Sequence, residues 1–72
     1  MDKREIGCNA GKIWQILSDN ANWSYDDLKK KSGLKDKELG AAIGWLAREN
    51  KIEFEQEGEE LYMYLCVNVY IG

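Results

Sequence analysis

The stretch LGAAIGWLARENKIEFEQEGEELYMYL, residues 39–65, changes its period once. Up to Arg48 the apolar residues Leu39, Ala42, Ile43 and Leu46 recur at i, i+3, i+4 and i+7, one stripe of an α-helix. From Ile52 onward the period is two: Ile52 and Phe54 alternate with Glu53 and Glu55. Asn50 is a natural stop between the two patterns. Glu57-Gly58 predicts a two-residue hairpin turn, because glycine tolerates the positive φ such turns need. In that register Phe54 pairs with Leu61, Ile52 with Met63 and Lys51 with Tyr64, and the apolar members face the helices. A return strand over residues 61–71 carries Leu61, Met63, Leu65, Val67, Val69 and Ile71 on one face.

Two further helices precede this stretch. Residues 24–33 open on Ser24, with Asp27 three residues on as a short-armed capping box, and on Trp23 and Leu28, spaced as a hydrophobic staple. They close on Gly33, suited to a left-handed helix end, and Leu34. A first helix is expected over residues 9–20, capped by Asn9, with Ala10, Ile13, Ile16 and Leu17 on its inner face. Asp36 and Glu38 suit the start of the third helix and Arg48 its end. Three helices, a tight turn between the second and third, and then a hairpin define an α+β winged helix-turn-helix, expected as a single domain over residues 1–72.

The strings Ile6-Gly7-Cys8-Asn9-Ala10-Gly11-Lys12-Ile13-Trp14 and Ala42-Ile43-Gly44-Trp45-Leu46-Ala47-Arg48-Glu49-Asn50-Lys51-Ile52 resemble a family of small bacterial winged helix-turn-helix proteins of unassigned function. The resemblance spans most of the chain, rests more on the second string, and ends a little before Asn68. It implies the winged-helix fold and is compatible with a homodimer. It implies no activity and brings no site residues.

Composition narrows the chemistry. Seventy-two residues form a thin core, and small chains often lean on a disulfide, a metal or a partner subunit. Histidine is absent and there are two cysteines, too few ligands for a structural zinc site, so no metal or cofactor is expected. Neither Cys8 nor Cys66 has a histidine to activate it, and nothing gathers the 13 carboxylates into a pocket. No catalytic residues, and no enzyme, are expected. Gly7-Cys8-Asn9-Ala10-Gly11-Lys12 misses the phosphate-loop spacing and lacks the following Ser or Thr. The simpler reading is that Gly7 permits a bend before the first helix and Gly11 a close approach. With no apolar leader and no run long enough for a membrane span, a cytoplasmic protein with free thiols is expected.

Binding is the function left, and the charges divide it. Lys29, Lys30, Lys31, Lys35 and Lys37 bracket the turn between the second and third helices, where a helix-turn-helix lies against a duplex. They could hold phosphates, or form a solvated charged face; phosphate contacts carry no sequence information. The outward face of the third helix holds Lys37, Ala41, Gly44 and Arg48, with Gly40 and Trp45 at its margins. Lys37 and Arg48 are the only long polar side chains there, so base reading is poorly served. Each interior glycine costs about 1 kcal/mol relative to alanine. Either a partner approaches Gly40, Ala41, Gly44 and Trp45 or the glycines serve packing within the chain. The hairpin tip, with Glu53, Glu55, Glu57, Glu59 and Glu60, would repel a phosphate backbone, and the net charge of −3 is low for a nucleic-acid binder. The last strand outruns its hairpin partner in the register above. Val67, Val69, Tyr70 and Ile71 then form an edge covered by a second copy or by the chain's own first helix. The sequence therefore supports a DNA-binding-type module, transcription-associated and holding duplex DNA weakly through the lysine-rich turn. The alternative is a winged helix that binds protein and dimerises instead; a homodimer is expected.

Overall fold

The computed structural model describes residues 1–19 and 21–66. The elements run α1 (Lys3–Leu17), β1 (Trp23–Ser24), α2 (Tyr25–Ser32), α3 (Asp36–Arg48), β2 (Ile52–Glu57) and β3 (Glu60–Leu65). The strands form an antiparallel sheet in the order β1-β3-β2. This is the α+β winged-helix architecture expected from the sequence.

Helix α1 begins six residues before Asn9. Asp2 caps it by accepting from the Glu5 backbone N–H at 2.9 Å, and the Glu5 carboxylate accepts from the Asp2 N–H at 3.1 Å. This reciprocal capping box overrides the two glycines inside the first turns. Gly7 therefore lies within the helix and bends nothing. The helix ends at Leu17, where Ser18 returns its N–H to the Gln15 carbonyl. In α2 the Ser24 hydroxyl accepts from the Asp27 N–H at 3.1 Å, and Gly33 closes the helix at φ 75°. Helix α3 ends at Arg48, and two residues on the chain turns through a left-handed residue, Asn50, at φ 58°. The N–H groups of Asn50 and Lys51 reach back to the carbonyls of Ala47 and Leu46, satisfying the last turn.

The hairpin turn lies one residue later than expected. Glu57 pairs with Glu60, so the loop is Gly58-Glu59, with Gly58 at φ 61° in the first central position. The register consequently shifts by two: Phe54 pairs with Met63, Ile52 with Leu65 and Glu53 with Tyr64. A shift of two keeps every side chain on its expected face. It changes how far each reaches from the helices. Met63, in the central strand between Trp23 and Phe54, is fully buried. Phe54, on the edge strand beyond the helices, is 42% exposed and does not join the core.

The core comprises Ala10, Ile13 and Leu17 of α1, Leu28 of α2, Leu39, Ala42, Ile43 and Leu46 of α3, and Ile52 and Met63 of the sheet. Ile16, Trp23, Leu34, Leu61 and Leu65 pack half-buried around it. Among the described residues no helix is long and apolar enough to cross a membrane.

Candidate nucleic-acid and partner surfaces

The α2–α3 turn is assembled from helix caps. Gly33 turns the chain, the Ser32 hydroxyl accepts from the Leu34 N–H at 3.2 Å, and Glu38 accepts from the Lys35 N–H at 2.9 Å. Lys35, at the cap of α3, offers no side-chain acceptor, so only this half of a capping box forms.

These caps do not bring the five lysines together as one patch. Lys29 is half-buried, and its ammonium lies 3.0 Å from the Asp36 carboxylate. The Tyr25 hydroxyl donates to the same carboxylate at 2.8 Å. The hydrogen bonds from Tyr25 and Lys29 hold the Asp36 carboxyl below the usual carboxylate range. The bond to Asp36, with some burial, pushes the Tyr25 hydroxyl up. Tyr25, Lys29 and Asp36 thus tie the start of α2 to the start of α3, and the sequence reading missed this clamp. Lys31 turns the other way, into a shallow hollow with Lys12, Gln15, Asp19 and Trp23 beside α1. Lys30, Lys31, Lys35 and Lys37 are all exposed, with no ion pair among the described residues, and Lys30, Lys35 and Lys37 lie around the turn outside that hollow. Arg48 is exposed at the far end of α3, about 16 Å from Lys37 at 1.5 Å per residue.

The outward face of α3 has the phase expected: Gly40, Gly44 and Trp45 are exposed and Ala41 is half-buried. A side chain added at Gly40 or Gly44 would meet open space, as it would at Gly7 and Gly11 of α1. No contact within the described chain requires any of these glycines, contrary to the reading that they serve internal packing or, at Gly11, a close approach.

Between α1 and the second half of α3 lies an apolar groove of about 260 Å³. Gly7, Ala10, Gly11 and Trp14 form one wall; Trp45 and Leu46 form the other, and Lys51 stands at the rim. Trp14 and Trp45 are 43% and 41% exposed. The sequence reading picked out Trp45 but not Trp14. The signal lay in the i, i+3, i+4, i+7 spacing of Gly7, Ala10, Gly11 and Trp14, which shows only once α1 is extended to Lys3.

The hairpin tip is as acidic as expected, with all five glutamates exposed. On the β1 edge, the short strand pairs through Trp23 with Met63 and Ser24 with Tyr62. On the other edge, pairing extends beyond Leu65, because the Cys66 N–H donates to the Lys51 carbonyl at 2.9 Å. The hairpin therefore covers more of the last strand than expected. Val67, Val69, Tyr70 and Ile71 lie outside the described residues. Cys8 and Cys66 carry free thiols. Among the described residues no group of three or more His, Cys, Asp or Glu side chains is placed to hold a metal ion.

The fold defines a small winged helix-turn-helix domain. The chain belongs to the family described as winged helix-turn-helix domain (DUF2582), whose model matches residues 1–65. The solution NMR structure of protein BT2368 from Bacteroides thetaiotaomicron is similar, at 38% identity and a TM-score of 0.80, over 90% of this chain and 79% of that one. A structure of the DNA recognition and protein interaction domains of HOP2 is similar at 25% identity and a TM-score of 0.69, over 81% of this chain and 98% of that one. No curated protein matches the sequence.

Proposed function

We propose that this chain is a single, non-enzymatic winged-helix domain that holds duplex DNA by its phosphates through the α2–α3 turn. It acts as a cytoplasmic homodimer in a transcription-associated role, and it reads little or no base sequence. The observation that carries this is the exposure of Lys30, Lys35 and Lys37 around the turn while Lys29 neutralises the intervening Asp36. Cations at that position meet the backbone of a duplex when α3 approaches the major groove. The likeness to the DNA recognition and protein interaction domains of HOP2 supports the reading. Weak sequence dependence follows from the outward face of α3, where Gly40, Ala41 and Gly44 separate Lys37 from Arg48 by about 16 Å and themselves offer bases no side-chain hydrogen bonds.

The test is a salt series of anisotropy titrations with a labelled duplex. With three phosphates neutralised by each protomer, the plot of log K against log salt should have a slope of about −2.7 per protomer engaged, about −5 for a dimer with both turns on the duplex. Lys30→Glu, Lys35→Glu and Lys37→Glu together should abolish binding. A tight complex with one sequence that survives physiological salt would contradict weak, non-specific binding.

The second reading, a protein-binding and dimerising module that does not bind DNA, is favoured by the apolar groove between two exposed tryptophans. No duplex affinity in the native chain would leave that reading standing alone, whereas an undiminished affinity in the triple lysine variant would move duplex binding away from the α2–α3 turn.

A further inference from the structure

The groove between α1 and α3 has what a short apolar segment needs: a floor of small residues and two flanking indoles. Glycine in a helix costs stability, and an extended backbone can come closest where no Cβ stands. At Gly7 and Gly11 that space is open in the described chain. Trp14 and Trp45 leave about two fifths of their surface exposed beside it.

The segment that follows Cys66 identifies the occupant. Cys66 is tied by its N–H to the Lys51 carbonyl, and Lys51 stands on the groove's rim. Six residues follow, Val67-Asn68-Val69-Tyr70-Ile71-Gly72, in which aliphatic residues alternate with polar or aromatic ones. Fully extended they reach at most about 20 Å. We propose that the groove takes residues 67–72 of a second copy of the chain, each copy seating its tail in the other.

Backbone chemistry favours exchange over self-docking. β1 pairs no further along β3 than Met63, and β2 begins at Ile52. A helix face can cover the aliphatic side chains of the tail but cannot pair the N–H and C=O groups of an extended segment. A twofold-related copy offers the same six residues antiparallel for that pairing, together with a second groove for the apolar row. The proposal rests on the homodimer reading and adds to it the seat and the segment.

The experiment is a complementation measured by sedimentation across a concentration series. Gly11→Glu spoils the seat, and its new Cβ enters open space, so the fold is retained. Trp14→Glu, at a position about two fifths exposed and outside the buried core, does the same independently. Truncation after Cys66 removes the tail. Each change alone should weaken dimerisation at least tenfold, with unchanged circular dichroism. An equimolar mixture of Gly11→Glu and truncated chains should partly recover dimers at concentrations where neither forms them alone, since one intact tail then meets one intact seat but has no second tail to pair with. Dimers that persist in both variants would overturn the seat while leaving the homodimer standing. Weakened dimers with no recovery on mixing would overturn the exchange. A full-length chain that stays monomeric throughout would remove the homodimer and this inference with it.

Discussion

The α2–α3 turn and the hairpin tip are the two projections a winged helix can offer to a duplex, and in this chain they differ in sign and in construction. The turn is built from caps and a clamp, with Gly33 at φ 75°, Glu38 on the Lys35 N–H, and Tyr25 and Lys29 on Asp36. It leaves Lys30, Lys31, Lys35 and Lys37 in solvent. The tip is built by one glycine, Gly58, and pairs Glu57 directly with Glu60. Like charges facing each other across a ladder cost stability. The fold can tolerate them because of the ten core residues only Ile52 comes from β2, and it is that strand's first residue. The interior thus specifies the fold, and the two projections are free to specify different partners. A turn with basic residues beside an acidic wing suits one-point electrostatic attachment rather than the two-point grip of a basic wing.

The largest effect belongs to the core both regions share. Leu46→Ala should cost about 2–5 kcal/mol, a large part of the stability of so small a domain, as read by urea unfolding. If the variant unfolded with native stability, the two projections would not depend on one core, and the comparison would lose its basis. Neutralising the tip with Glu57→Gln, Glu59→Gln and Glu60→Gln should raise duplex affinity roughly threefold at low salt and leave it unchanged at high salt, because screened repulsion is all that is removed. A fall in affinity would mean that the tip contacts the partner. Arg48→Ala, about 16 Å along α3 from Lys37, should change duplex affinity by less than about twofold. A loss as large as that of the triple lysine variant would extend the binding surface along the whole helix.

The smallest effect tests the clamp. Folding lowers the Asp36 pKa from its usual 3.8, mainly through Tyr25 and Lys29. A lowered carboxylate contributes stability above its unfolded pKa and loses it as pH falls through the folded value. Asp36→Asn should therefore be slightly less stable than the native chain near neutrality, and the gap should close below pH 3.8, as followed by thermal melts. A gap that widened with acid would contradict the sign of the clamp.

What was legible in the sequence follows from how local its cause is. The caps of α2, the αL residues Gly33 and Asn50, and the buried stripe of α3 depend on neighbours within a turn, and each lies where its spacing places it. The start of α1 was misread because Gly7, Asn9 and Gly11 look like breakers, while the deciding Asp2–Glu5 capping box lies further upstream. The hairpin register was misread by two because either side of Gly58 could host the loop, and the choice depends on tertiary fit. The α+β class survived both errors, since a shift of two preserves faces. The lysine cluster was legible in position but not in grouping: only the fold separates Lys31 toward α1 and commits Lys29 to Asp36. The groove required the true α1 boundary and could not be seen without it.

One measurement separates the turn from the tip directly: a ¹⁵N NMR titration of the full chain with a short duplex at low salt. The account predicts amide shifts concentrated at residues 30–37, with residues 53–60 unmoved and the pattern the same for unrelated sequences. Shifts centred on residues 53–60, or no shifts at all at residues 30–37, would contradict it.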